Sequence, residues 1–542
     1  MGSQLPASIR KILPVWPWLA ALLSGLLGVA CFAPFSQSWL CWLALTPLTA
    51  AVWFSGEKSK RRWLHNSLLG YVAGIAFFTG AFSWLGALGT LFENFWLRGL
   101  SLLLSIYLGL YFAFWAWFIG LIAPRNFLSS SRNLITAFLA ASAWVAQEWI
   151  RGWLFTGFGW NGLGIALHGN WALIQVAEFS GAIGLSFIVV FANIIAVTTP
   201  VRLFFEARTN QMRPHFDLTL TLAGLVALLT FGLYCVQNRP AAKPLRVSAI
   251  QADIPQEQKF DLQFVGQIFE RFERLSEIGL HSSPPPDLLV WPESSLPEPV
   301  TAANSESHRF VTDLSASTGK DLLIGTLDVQ DRNDFNAAAL ISGATQQMQV
   351  YRKIHLVPFG EYIPLRHSFP LFAVVAGRWV PGDFDSGTDY TVLHLTNGDV
   401  QAAPLICFED TIGDLTRRFV LNGANLLVNV TNDAWFLRSA GSHQHLQNAI
   451  FRCIETRRPM VRAANTGVTC FVNEFGRITQ ILQDDNGKTF TEGVLNGTVS
   501  VPTGGVLTFY VRHGDLFAEI CVGITLIASV ILIWRALSGL GQ

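Results

Sequence analysis

Charge is scarce in this sequence. Of 542 residues only 14% are Asp, Glu, Lys or Arg, while 51% are hydrophobic, with 19 Trp and 41 Phe. That is too apolar for an ordinary soluble protein. The formal net charge is zero, so the total gives no sign of a nucleic-acid partner, and none is expected. The seven cysteines form no CxxC pair and no Cys/His spacing of a zinc site. No metal or other cofactor is expected. No small-residue cleavage site follows the first apolar run, and six more runs come after it, so it is not read as a cleavable leader.

The charge that exists is unevenly spread. Between Gln237 and His513 lie 29 of the 37 acids and 23 of the 37 bases. The length is compatible with about three domains. The expectation is a membrane part over 1–236, a water-facing block over 237–513 and a closing apolar helix over 514–542. Cys31, Cys41, Cys235 and Cys521 fall in apolar spans. Cys407, Cys453 and Cys470 fall in the block, where pairing of Cys453 with Cys470 stays open.

A spanning helix needs about 20 mostly apolar residues. Eight runs are read as spans: 16–35, 38–54, 67–88, 97–122, 133–155, 173–200, 216–236 and 517–537. With the N-terminus inside, the inner segments carry eleven bases (Arg10, Lys11, Lys58, Lys60, Arg61, Arg62, Arg125, Arg132, Arg202, Arg208, Arg213). The short outer segments carry only Arg98 and Arg151. Basic loops stay cytoplasmic, so both termini are expected inside and the block outside. The Gly- and Trp-rich outer loop 151–171 reads as an interfacial anchor or as part of a lipid-binding mouth. Glu148 and Arg151, three apart, could pair on a helix face.

The block alternates strand and helix patterns, which implies a layered α/β or α+β domain. Strands are expected at 245–254, 287–295, 321–329, 335–342, 346–353, 400–410 and 425–433. Helices are expected up to Leu280, after Asp410 and over 443–457. Three reactive side chains then fall at strand ends: Glu293 in "WPESS", Lys353 in "YRKIHLVPFGEYIP" and Cys407 in "APLICFED". Alone, Cys407 reads first as a small buried hydrophobe. Together the three make a chemical set. A carboxylate can take a thiol proton, and an ammonium can hold oxyanion charge and favour the thiolate. His443 and His445 in "SHQH" stand two apart, and on a helix such a pair does not face one metal. "VTND" at 430–433 reads as a strand-end turn beside the pocket.

"VWPESSLPE", "YRKIHLVPFGEYIP" and "ICFED" resemble the Glu-Lys-Cys signature of the carbon–nitrogen hydrolase (nitrilase) superfamily. With "QADIPQEQKF", "VNVTNDAWF", "AANTGVT" and "RGWLFTGFGWNGLG", the resemblance extends over the whole chain to the bacterial apolipoprotein N-acyltransferase family. It implies an αββα sandwich joined to eight membrane helices, in the bacterial inner membrane with the catalytic domain periplasmic. It also implies that Glu293 is the general base, Lys353 the oxyanion stabiliser and Cys407 the nucleophile. Glu361 matches a second essential acid, with a salt bridge to Arg366 or a turn cap as the plainer reading. Glu409, Phe408, Phe260 and Trp379 are supporting or substrate-binding candidates. The family usually has Trp at Phe260, Tyr at Phe408 and Pro at Gly159.

The implied reaction moves an acyl chain from a phospholipid to Cys407 as a thioester. The α-amine of the diacylglyceryl-modified N-terminal Cys of an apolipoprotein then takes it. A monomer in the bilayer is expected. The apolar stretch 369–380 reads as a flap that meets lipid or as a buried strand. Two rivals remain at this stage. One is a membrane-tethered amidase or nitrilase acting on a small amide, for which one span would suffice. The other is a transporter with a regulatory domain.

Overall fold

The computed structural model describes residues 15–55, 61–259, 261–366, 368 and 382–538. Phe260, Trp379 and the stretch 369–380 lie outside the described residues. The chain divides into two compact units, residues 1–237 with 515–542, and residues 238–514.

The first unit is helical, with Trp16–Ala30, Thr46–Phe54, Arg62–Ala81, Leu100–Leu121, Ser130–Arg151, Ala182–Thr209, Phe216–Gln237 and Leu516–Leu537 as its main helices. Among the described residues, Phe95–Leu121, Ala182–Thr209, Phe216–Gln237 and Leu516–Arg535 are long and apolar enough to cross a membrane. A fifth candidate arises if Arg62–Ala81 and Ser83–Leu91, bent by 57°, count as one span. The other expected spans fall short for identifiable reasons. Trp16–Ala30 has only 15 residues. Ser130–Arg151 carries Arg132, Asn133, Gln147, Glu148 and Arg151. Ser38–Phe54 is likewise a shorter apolar helix, whereas the run expected from residue 173 spans as Ala182–Thr209, beginning after Gly181, whose φ of 66° ends the short helix Ala177–Ser180.

Small residues let the helices of this unit approach closely, as membrane bundles require. A Cβ on Gly74 would lie 2.8 Å from Gly109 Cα, and one on Gly70 would lie 2.3 Å from Phe112 O. Glu148 and Arg151 find other partners than each other. Glu148 accepts from Trp144 Nε1 and from Leu163 N, both at 2.7 Å. Arg151 donates to Trp160 O at 2.9 Å.

The second unit holds two six-stranded sheets. Its strands are β1 (Ala242–Gln251), β2 (Leu288–Trp291), β3 (Asp321–Gln330), β4 (Asn333–Ile341), β5 (Met348–Arg352), β6 (Leu393–His394), β7 (Gln401–Ile406), β8 (Leu426–Thr431), β9 (Met460–Ala464), β10 (Cys470–Val472), β11 (Ile478–Ile481) and β12 (Gly493–Pro502). One sheet runs β12-β1-β2-β3-β4-β5 and the other β11-β10-β9-β8-β7-β6. In each, three central strands are parallel (β1, β2, β3 and β7, β8, β9) and the flanking strands antiparallel. The parallel strands read as wholly apolar runs because both their faces are covered. β2 and β8 are buried along their length. The sheets face each other, with β1 on β9, β3 on β8 and β4 on β7.

Helices cover the outer faces. Val265–Leu280 turns Ile268, Phe272, Leu275 and Gly279 inward, the i, i+4, i+7 spacing of one helical face. Phe272 stacks on Trp291 of β2 with ring centroids 4.6 Å apart. Glu306–Thr318 starts where Ser305 accepts the His308 N–H, a side-chain cap for an otherwise orphaned donor. β3 and β4 are joined by Asp331 and Arg332, both with positive φ (50° and 74°), the backbone of a two-residue hairpin turn. The expected helix–sheet–sheet–helix layering is therefore present, while β6 and β9 to β12 went beyond the strands read from the sequence.

Candidate active site

Three strand ends carry the three reactive side chains. Glu293 follows β2, Lys353 follows β5 and Cys407 follows β7. Cys407 opens a short 3-10 turn, Cys407–Thr411, and its φ is 51°. A non-glycine residue there is strained, and such strain persists where surrounding contacts enforce it. Here Asn429 of β8 enforces it, donating to Leu405 O and Cys407 O, both at 3.1 Å. Ser294, next to Glu293, repeats the left-handed bend with φ 46°.

Gly325 of β3 makes room for Glu293. A Cβ there would lie 2.5 Å from both Glu293 Cα and Pro292 O. The Glu293 side chain is buried, and its Oε1 accepts from Asn336 Nδ2 at 2.8 Å. Its Oε2 has no hydrogen-bond partner among the described residues. A buried carboxylate oxygen without a donor is costly.

Lys353 is 1% exposed. Its ammonium sits 2.9 Å from Glu361, which in turn accepts from Asn336 Nδ2 at 2.7 Å and from Val357 N at 2.7 Å. Burial works against the Lys353 charge, but Glu361, Cys407 and Glu293 outweigh it and hold the pKa above its ordinary value. Glu361 thus pairs with Lys353, while Arg366 pairs with Asp383.

The Cys407 thiol is driven up by burial and next by Glu293, with Lys353 pulling the other way. Glu409 is fully buried and works as a latch between strand ends. Its Oε1 accepts from Tyr351 Oη at 2.7 Å and Ile354 N at 2.9 Å, and its Oε2 from Ile406 N at 2.9 Å. Burial raises its pKa. Phe408 is half-buried and stacks on His355 at 5.8 Å. Burial first, then Lys353, lowers His355 to about 4.

Several residues here escaped the sequence reading. Asn336, Asn429 and Arg462 are polar groups inside apolar strand runs, and that interruption was the available signal. Lys259 donates to Glu293 O at 2.7 Å. His445 joins no metal cluster among the described residues. It lies between Asp410 and Asp433, at 2.8 and 2.9 Å. Arg462 closes this buried tetrad, donating to Asp410, Asp433 and Asn429. Asp433 therefore belongs to an ion network rather than to a bare turn. Cys453 and Cys470 are free and buried.

The set can pass a proton from a thiol to a carboxylate beside a fixed cation, which is what acyl transfer through a thioester requires. Comparison with known proteins identifies the family. Residues 24–195 match the apolipoprotein N-acyltransferase N-terminal domain, and residues 246–504 match the carbon–nitrogen hydrolase domain. An apolipoprotein N-acyltransferase of Geobacter metallireducens is 34% identical, covering 94% of each chain. One of Nitrosomonas europaea is 33% identical, covering 94% of this chain and 96% of that one. Among solved structures, a carbon–nitrogen hydrolase of Helicobacter pylori G27 is similar at 13% identity and TM-score 0.36, over 47% of this chain and 89% of the other. With both domains matched in order and relatives of this identity along nearly its full length, the chain belongs to the apolipoprotein N-acyltransferase family.

Proposed function

We propose that the protein transfers an acyl chain from a phospholipid to the α-amine of the lipidated N-terminal cysteine of an apolipoprotein, through a thioester on Cys407. The observation that carries this reading is the buried Glu293 Oε2, without a hydrogen-bond partner among the described residues, at a strand end like the Cys407 thiol and the Lys353 ammonium held by Glu361. Glu293 takes the Cys407 proton as the sulfur forms a bond to the ester carbonyl carbon. The carbonyl π pair moves onto oxygen, where Lys353 stabilises the charge. The tetrahedral species collapses, the C–O ester bond breaks, and the lysophospholipid alkoxide takes the proton from Glu293. The acceptor amine then attacks the thioester and loses a proton to Glu293. The Cys407 thiolate leaves and is reprotonated, and the product is an amide. Glu361 holds Lys353, and Glu409 holds the strand ends in register.

Eight spans, an outward-facing catalytic unit in the bacterial inner membrane and inward termini complete the reading. The eleven-to-two basic bias supports the orientation. The acting unit in this reading is a monomer. A tethered amidase is the weaker alternative, because relatives matched over the whole length share the helical part as well as the hydrolase part.

Mass spectrometry of the full-length protein incubated with phospholipid alone tests the proposal. The expected result is an acyl mass increment removed by hydroxylamine and absent from Cys407→Ala. An unchanged increment in that variant, or none in the wild type, overturns it.

A further inference from the structure

Lys259 is an unusual lysine. It is 3% exposed, and lysines are almost never that buried without a charged partner. Its one hydrogen bond among the described residues goes to the backbone carbonyl of Glu293, at 2.7 Å. An ammonium has three donors, so two are left without a protein acceptor in a place where unmet donors are costly. Lys353 differs in this respect, because its ammonium is held by both oxygens of Glu361.

The loop that delivers Lys259 is fastened at several points. Asp253 N donates to Asn465 O at 2.7 Å, and Asn465 Nδ2 donates to Ile254 O at 2.8 Å. Gln256 accepts from Asn432 Nδ2 at 2.8 Å. Both asparagines sit at the ends of strands of the opposite sheet. Lys259 is thereby placed in advance of any substrate, as preorganised electrostatic stabilisation demands. Its electrostatic neighbours are the reacting groups themselves. Burial pulls its pKa down to about 8, and Glu293 and Cys407 pull upward.

We propose that Lys259 is a second cation of the reaction centre, whose spare N–H groups donate to the oxyanion formed on the acyl carbonyl when Cys407 attacks. The inference rests on the thioester reading above. It adds no step to it: the same S–C bond forms, the same C–O bond breaks, and Lys259 neither gains nor loses a proton. The arrangement divides the labour. Lys353, tied to Glu361, brings a fixed charge to the oxyanion, while Lys259, tied among the described residues to one carbonyl, is free to turn its donors to the same oxygen. The ligand class is an anionic oxygen, and the ester oxyanion is the source to which the geometry points, because Lys259 is anchored on the base itself.

The test uses full-length protein in detergent, as wild type and as Lys259→Met and Lys259→Gln. Two reactions are compared at Cys407. Alkylation by iodoacetamide displaces iodide and builds no oxyanion. Acyl loading does build one, and it is followed with a phospholipid and with p-nitrophenyl palmitate, which has no phosphate. Loss of one oxyanion donor costs about 100-fold or more in turnover. Loading should fall by about that factor with both donors, while alkylation changes little. Unchanged loading overturns the proposal. Parallel loss of alkylation and loading makes Lys259 only a latch for Glu293 and also overturns it. Loss with the phospholipid alone assigns the ammonium to the phosphate and overturns the oxyanion role. If Lys259→Met does not fold, Lys259→Gln, which keeps a polar N–H, carries the same comparison. Absence of loading in the wild type would instead bring down the thioester reading itself.

Discussion

Glu293 and Glu361 share one donor. The side-chain amide of Asn336 gives one hydrogen to each carboxylate, at 2.8 and 2.7 Å. It holds apart two acids that serve different groups: Glu361 faces the Lys353 ammonium, and Glu293 keeps its second oxygen unpartnered. Hydrogen bonds to charged groups are worth about 1.5–3 kcal/mol. Asn336→Leu is expected to slow acyl loading by roughly 10- to 100-fold. Asn336→Asp adds a third carboxylate beside the other two and should slow it further. Single-turnover loading with equal amounts of folded protein measures both, and an Asn336→Asp rate above that of Asn336→Leu would contradict the bridging role.

Glu293 and Lys353 should behave as one unit with Cys407, because groups acting in a single step give non-additive losses. Glu293→Gln and Lys353→Met are each expected to remove nearly all turnover, and the double variant to lose little more. Additive losses in steady-state kinetics would show that the two act in separate steps.

Gly325→Ala tests the seating of Glu293. The added Cβ would meet backbone atoms of Pro292 and Glu293 at 2.5 Å, so the base must move. Misplacement by about 1 Å can cost on the order of 100-fold in rate. Loading should fall by about that factor while the melting temperature drops only modestly. A near-normal rate would mean that Glu293 is not held in its working position by this contact.

His445 bridges Asp410 and Asp433 through its two ring nitrogens, and Arg462 contacts both acids. Burial opposes its charge, but Asp410 and Asp433 outweigh burial and Arg462, and its pKa is raised. The folded form therefore binds this proton more tightly than the unfolded chain does. The stabilisation is fully present below the ordinary histidine value, about 6.5, and is lost as pH rises through the raised folded value. Breaking a buried ion pair costs about 3–5 kcal/mol. His445→Ala should lower the melting temperature on the order of 10 °C at pH 6. The wild-type advantage should shrink on going to pH 9. A gap that widens with pH would mean that His445 is buried neutral.

Orientation is open to a labelling experiment. A membrane-impermeant thiol reagent applied to intact spheroplasts should modify a cysteine placed at Asn304 and spare one placed at Asn126. The reverse pattern would invert the topology and exclude substrates of the outer leaflet.

Much of this protein is written locally in the chain. Apolar runs and the confinement of charge to residues 237–513 announce a membrane part and a water-facing part, because burial in lipid and burial in a sandwich select residue types over stretches of ten to twenty neighbours. The placing of Glu293, Lys353 and Cys407 at strand ends was legible because each sits in a motif that closes an apolar run. The number of helices long enough to cross a bilayer was less legible, since the short helix Trp16–Ala30 and the polar residues of Ser130–Arg151 act where span-by-span counting is coarse. Apart from Glu361 and Glu409, which lie in the same motifs, the partners of the reactive groups were not legible. Asn336 meets Glu293 across 43 residues of chain, Lys259 meets it across 34, and Arg462 meets Asp410 across 52. Hydrogen bonds and ion pairs of that kind leave no period in the sequence. They exist only once two sheets have packed and brought distant strand ends to one place, and there the desolvation cost of each buried charge decides which neighbour it must have.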